Sequence, residues 1–384
     1  MGETEWNQYK ANEKAMKEKL YGIELEEETD SEQEGFSDAP YDSEEIRIDQ
    51  KMFSLFQVCT WIENGKLILH PEFQRNLVWN RKQQSLLIES LMLKIPIPAF
   101  YFDEDKDGCR TVIDGMQRLT TIYDFLKGKF KLCGLQYLKK CEGCTFEQLD
   151  WKYRSRIEDT QLAINILDAK CPDMVKFDVF HRINTGGTTL NAQEVRNIMA
   201  KPHTRKLLKD MVDCEDFQKA THGKVSDVRM VAQELCLRFL TFYRLYDTIS
   251  DNFLEFCEMT QLLDQMLLRI NTMDQNEMDA LLDRFRWSMK RCYALFGEKA
   301  FYKPGVKSAI NRALFTSFSV LLADKSHYDI KWLENRQKQA NQLLEDKLNE
   351  HSEYYNAITS STSSKNNMIL QFLYAKQILE ELRS

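Results

Sequence analysis

The stretch over residues 112–126, VIDGMQRLTTIYDFL, constrains this chain more than any other. Thr111-Val112-Ile113 is a short apolar run with strand character, and the chain then turns at Asp114-Gly115. Leu119, Ile122, Phe125 and Leu126 follow on one face of an amphipathic helix. Polar residues crowd the turn: Asp114, Gln117, Arg118, Thr120 and Thr121. Glycine at a strand-to-helix turn lets another backbone or a phosphate come close. A helix N-terminus offers unpaired N–H groups and the positive end of a dipole. An arginine in the first turn adds a planar, permanently charged fork that suits phosphate oxygens. Two readings fit this pattern. One is an anion site with a nucleotide as its ligand; the other is a tight turn in which Asp114 caps the helix and Arg118 pairs with a surface carboxylate.

Composition sets the class. A chain of 384 residues, 43% hydrophobic and 29% charged, has room for two or three domains with sizeable cores. No run of eighteen apolar residues is present, and the polar, acidic N-terminus reads as neither a signal nor a transit peptide. Ten cysteines without framework spacing fit reduced thiols, and so a cytoplasmic protein, better than a disulfide scaffold. The net charge of −7 is unevenly spread. Residues 1–50 hold 16 Asp and Glu against 5 Lys and Arg, whereas the other 334 hold 43 against 47. That mildly basic remainder permits contact with a polyanion without arguing strongly for it.

Residues 1–44 read as an acidic, mostly disordered leader with one short charged helix over 10–20. A small mixed α/β domain is expected over 45–170, and an all-helical domain over 171–384, an α+β protein. Strands are expected at 46–48, 66–69, 99–103, 110–113, 129–132 and 162–167, with a hairpin turn at Asp105-Lys106-Asp107-Gly108. Helices are expected between Ser54 and Gly65, then over 81–94, 146–157 and 173–183. Asn191 with Glu194 has the capping-box spacing. Helical periodicity then runs on, as at 231–243, 253–270, 278–296 and 332–348. Arg229, Glu234 and Arg238 are spaced for ion pairs along one helix face.

Three polar clusters interrupt this patterning at element ends. They are Phe73-Gln74-Arg75 with Trp79, Asp114-Gly115-Met116-Gln117-Arg118, and Phe180-His181-Arg182-Ile183-Asn184-Thr185-Gly186-Gly187. Each joins an arginine to an amide, and two add glycine, a set suited to polyphosphate. No Walker-type lysine loop or dinucleotide fingerprint is present. In order and spacing the clusters resemble the N-terminal domain family of GmrSD-type, modification-dependent restriction endonucleases. The family's Asp-Gly-Gln-Gln-Arg signature stands here as Asp114-Gly115-Met116-Gln117-Arg118. Its Phe-Gln-Arg and Val-Trp match Phe73-Gln74-Arg75 and Val78-Trp79. Its Asn-Thr-Gly-Gly and Leu-Asn match Asn184-Thr185-Gly186-Gly187 and Leu190-Asn191. The likeness covers about residues 45–260.

The resemblance implies a ParB/sulfiredoxin-like fold, a nucleoside triphosphate with Mg²⁺, and hydrolysis of that nucleotide in anti-phage defence or DNA restriction. On this footing the expected catalytic residues are Asp114, Gln117 and Arg118. The expected nucleotide-binding residues are Gln74, Arg75, Gly115, Arg118, Thr121, Asn184, Gly186 and Gly187. Arg118 and Arg75 would hold phosphates, and Gln117 and Gln74 would place water or the base. Asp114 would take Mg²⁺ or orient water. Met116 stands where the family has its first glutamine, which leaves binding better founded than turnover. No His-Asn-His nuclease pattern is found; beyond residue 222 the histidines are His327 and His351. The alternatives are a non-catalytic DNA-binding or regulatory module of ParB-like type, and a nuclease acting through the α/β domain. Expected partners are thus a nucleotide, DNA, and a separate effector or nuclease subunit, with oligomerisation open and no membrane. Cys141-Glu142-Gly143-Cys144 has Cys133 and Cys171 nearby, but this irregular spacing argues against zinc.

Overall fold

The computed structural model describes residues 12, 14–24, 46–69, 79–183, 191–248, 258–306, 308–323 and 329–383. The chain forms two compact units, one of Phe36–Leu190 and one of Met1–Gly35 with Asn191–Ser384. Helix α1 (residues 14–21) belongs to the second.

The first unit is an α+β body on a five-stranded sheet. Strand β1 (Ile48–Ser54) leads into α2 (Leu55–Glu63), where the Ser54 hydroxyl accepts the Gln57 N–H. Then come β2 (Leu67–Ile68), α3 (Arg81–Met92), β3 (Phe100–Glu104), β4 (Arg110–Asp114) and α4 (Met116–Leu126). Helix α5 (Trp151–Glu158), β5 (Gln161–Leu167) and α6 (Asp173–Ile183) complete it. The sheet order is β1-β5-β3-β4-β2. β1 runs antiparallel to β5, β5 parallel to β3, β3 antiparallel to β4, and β4 parallel to β2.

Alternation along the strands divides the sheet into two faces. Phe100, Phe102, Val112, Leu162 and Ile164 point into one core with Val58, Ile88, Leu119, Ile122 and Phe125 from α2, α3 and α4. On the other face α6 covers β4, and its Lys176 lies 2.6 Å from Asp103. Burial raises the Asp103 carboxyl, and the Lys176 ammonium opposes that shift.

Three sequence expectations are corrected here. β1 does not end at residue 48; it runs to Ser54 and pairs along the whole of β5, from Ile48 opposite Leu167 to Ser54 opposite Gln161. Residues 129–132 are not a strand, because Leu132 exchanges backbone hydrogen bonds with Gly143 and Cys144 inside a loop. The helix expected over 146–157 is a short 3-10 turn (Phe146–Gln148) followed by α5, which Asp150 caps at the Lys152 N–H.

The second unit is helical. It holds α7 (Ala192–Met199), α8 (Pro202–Asp213), α9 (Glu215–Ala220), α10 (Val231–Thr248), α11 (Met259–Ile270), α12 (Gln275–Phe296) and α13 (Arg312–Leu321). It ends in α14 (Ile330–Asn335), α15 (Gln337–Glu350), α16 (Ser352–Thr359) and α17 (Lys365–Glu381). The periodicity over 332–348 is thus two helices parted at Arg336. Phe217 packs edge to face on Phe315, Phe239 edge to face on Phe285, and Phe217 and Phe285 meet at a tilt in its core. Arg196 and Asp264 form a buried ion pair at 2.7 Å. Asn191 and Glu194 make the expected capping box. Arg229 does not share the α10 face: it sits before the helix at φ 55° and pairs with Glu194, leaving Glu234 and Arg238 as the helical pair. Residues 14–24, within the stretch read as a leader, lie in this unit, and Ile23 bridges Ile310.

Candidate functional site

β4 delivers the chain to the turn with a bulge. Phe102 pairs with Val112 and Tyr101 with Asp114, so Ile113 is one residue too many on β4. An extra residue redirects the side chain that follows it, and bulges recur beside functional sites. Gly115 then adopts φ 93° and serves as N-cap of α4, with no side chain capping the helix. A Cβ at this position would stand 2.3 Å from Cδ1 of Phe100, so only glycine fits.

Arg118 is held on several sides. Nη1 donates to the Pro98 carbonyl, and Nη2 donates to Ala99 O at 3.3 Å and to Asp114 Oδ2 at 2.7 Å. Its guanidinium carbon lies 4.6 Å from the centre of the Phe100 ring, a cation–π contact. The side chain is 12% exposed, whereas that of Asp114 is 32% exposed. Burial pulls the Arg118 pKa down and Asp114 pulls it up, with a net lowering. Gln117 accepts the Trp79 backbone N–H at 3.3 Å through Oε1, which leaves its amide NH₂ as a donor. Thr121 is buried at 1% exposure, and its hydroxyl has no hydrogen-bond partner among the described residues. Met116 packs against the core.

The structure therefore brings together Asp114, Gly115, Gln117, Arg118 and Trp79 at one strand–helix turn. Gln74, Arg75, Asn184, Gly186 and Gly187 lie outside the described residues. The flanks of those stretches are described: Trp79 meets Gln117, and α6, which ends at Ile183, packs on β4. As to the two readings of the turn, Asp114 does not cap α4, and the carboxylate that Arg118 meets is Asp114 of its own turn.

The sequence model of one family, "GmrSD restriction endonuclease, N-terminal domain", matches residues 55–200. Residues 55–200 are a GmrSD N-terminal domain. The match covers under half of the chain and marks this module as restriction- or defence-related. No curated protein and no solved structure matches the chain.

Within the GmrSD N-terminal domain, sequence reasoning missed the partners that hold the turn. Phe100 carries both Gly115 and Arg118 on its ring, and the carbonyls of Pro98 and Ala99 orient the guanidinium. Pro96 and Pro98 break the helical pattern after residue 94, and an extended segment whose carbonyls lack helical partners is the signal the sequence carries there. Glu89 was missed as well. Its carboxylate, 3% exposed, accepts the backbone N–H groups of Gln136, Tyr137 and Leu138 and pins that loop to α3. Among the described residues no three His, Cys, Asp or Glu side chains gather as a metal site would require. Nor is any helix of the described residues long and apolar enough to cross a membrane.

Proposed function

We propose that this GmrSD N-terminal domain binds a nucleoside triphosphate at the β4–α4 turn and hydrolyses it, as the nucleotide-handling part of a restriction or defence system. The observation that carries the reading is the bare N-terminus of α4. Gly115 opens the helix with no side-chain cap, and the Arg118 guanidinium lies beside it. Uncapped first-turn N–H groups next to a fixed guanidinium suit a phosphate.

Arg118 is paired with Asp114 at 2.7 Å. A phosphate oxygen approaching α4 competes for Nη2 and frees the carboxylate. Asp114 would then hold a hard cation or orient water at the turn. One carboxylate suits a magnesium ion that arrives with the nucleotide, because such ions take one or two carboxylates and fill the rest with phosphates and water. Mg²⁺ supplies charge neutralisation on the phosphates when bound. Gln117, anchored through Oε1 to Trp79, offers its NH₂ to the nucleotide or to water. Outside the described residues, Arg75 would hold phosphates, Gln74 would position water or the base, Gly186 and Gly187 would allow close backbone approach, and Asn184 would add a further nucleotide contact. With Met116 in the signature, binding rests on more groups than turnover does.

The test is phosphate release from each nucleoside triphosphate with Mg²⁺, with and without DNA, for wild type, Arg118→Ala and Asp114→Asn. Wild type is expected to turn over one of them and both variants to lose at least tenfold. A wild type that releases no phosphate, or an Arg118→Ala protein as fast as wild type, removes the hydrolase reading.

A second reading, DNA contact, is favoured by one groove in the same unit. About 650 Å³ in volume, it is lined by Lys94, Lys152 and Arg156 against a single acid, Asp159, and by Trp151. Trp151 is 72% exposed, and a groove that combines cationic side chains with an exposed ring suits a polynucleotide. DNA binding that persists without nucleotide and falls in Lys152→Ala supports this reading, and nicking of plasmid in the same assay supports direct nuclease action.

A further inference from the structure

β1 is the outermost strand of the sheet and, among the described residues, pairs only with β5. The Arg47 carbonyl accepts from Asp168 and the Leu55 N–H donates to Thr160, so the odd-numbered residues turn their backbone groups toward β5. Alternation then directs the N–H and C=O groups of Ile48, Gln50 and Met52 outward. The strand is exposed from Ile48 to Met52, with Met52 at 60%. A seven-residue edge strand without proline, exposed over its first five residues, is a template for another strand.

The sequence of this edge chooses its partner. Ile48-Asp49-Gln50-Lys51-Met52 is complementary to itself when reversed about Gln50. An antiparallel second copy sets Gln50 opposite Gln50, Asp49 opposite Lys51, and Ile48 opposite Met52. Gln50 and the Ile48–Met52 pairs then fall in hydrogen-bonded positions. Asp49 and Lys51 fall in the non-hydrogen-bonded positions, where side chains are closest. Opposite charges directly across a pair of strands stabilise it, and like charges oppose it. Recentring on Asp49 or Lys51 sets like charges face to face, and an odd shift turns the apolar side chains to the wrong face. A lysine normally protects a sheet edge, but here it meets an aspartate. Within one chain Lys51 reaches Asp49 at 3.0 Å, both side chains more than half exposed, an ion pair of little weight for the fold.

We propose that the protein forms a symmetric homodimer by antiparallel pairing of β1 with β1 of a second copy, centred on Gln50, which joins the two sheets into one. The contact is isologous, as a two-fold axis requires. It goes beyond nucleotide handling and does not depend on it.

The experiment is sedimentation velocity of the full chain over a concentration series at low salt, with circular dichroism to verify folding. Wild type is expected to sediment as a dimer. Asp49→Lys and Lys51→Asp, which set like charges opposite each other twice, should each raise the dimer Kd about tenfold. The double variant Asp49→Lys/Lys51→Asp restores opposite pairs and should return the Kd to within about threefold of wild type. Gln50→Pro removes one outward N–H, adds no charge and leaves the β5 side intact, and should abolish the dimer. Three results overturn the proposal: a wild type monomeric at every concentration, single variants that associate like wild type, or a double variant no tighter than the singles.

Discussion

Gly115 shows how little freedom the turn has. Its φ of 93° is strained for any residue with a Cβ, and the Phe100 ring occupies the space a Cβ would need. Gly115→Ala is expected to lose about 2–4 kcal/mol in urea denaturation, from backbone strain together with overpacking. A loss under about 0.5 kcal/mol would mean that the Phe100 ring simply moves aside. Thr121 tests the opposite case. Its hydroxyl is buried without a partner among the described residues, and such a group costs more than the methyl that replaces it. Thr121→Val should therefore keep or raise the melting temperature. Unchanged nucleotide affinity in that variant would assign Thr121 to the wall of the core, and a tenfold loss would assign its hydroxyl to the ligand. The sequence made the polar crowding of this turn visible. It did not show which neighbours those polar groups would meet, because Pro98, Ala99 and Phe100 arrive there through strand pairing.

Elements closed by local chemistry were legible, and those closed by distant partners were not. Asn80 with Gln83 and Asn191 with Glu194 are capping boxes that a few adjacent residues specify. β1 reads IDQKMFS, with no apolar alternation to announce it, because an edge strand needs no buried pattern of that kind. The run over 129–132 looked like a strand because Phe130 and Leu132 alternate; both are buried in a loop, Phe130 against Phe125 at 5.3 Å. That loop hangs on α3 through Glu89. Burial pushes the Glu89 carboxyl up, but three backbone N–H groups and Lys139 outweigh it and hold it below the usual range. A carboxyl depressed in the folded state stabilises above its unfolded pKa of about 4.3, and that contribution is lost as pH falls through its folded pKa. Glu89→Gln is expected to cost about 2 kcal/mol at pH 7 and to flatten the acid limb of stability against pH. An unaltered acid limb in the variant would mean that Glu89 does not carry that dependence.

At the scale of the whole molecule, sequence order and spatial order part company. The helical unit is built from both sides of the α+β unit in sequence. Ile23 is fully buried beside Ile310, Glu24 N–H donates to Ile310 O at 3.0 Å, and Ile310 N–H donates to Gly22 O at 2.9 Å. Asn311 Nδ2 reaches Glu24 Oε2 at 2.8 Å across 287 residues of chain. Acidic composition pointed to a solvated leader at this end, and one isoleucine in a polar stretch gave no sign of the bridge. Ile23→Ala should cost about 2–5 kcal/mol, read as lost amide protection around residues 308–318 with that of β3 and β4 unchanged. Equal loss in both units would refute separate unfolding. The bridge also sets a timetable. During synthesis the α+β unit has all its strands once residue 167 has emerged. Ile23 and Glu24 leave the ribosome before it and wait for Ile310 and Asn311, so the helical unit closes late, across a loop of 287 residues.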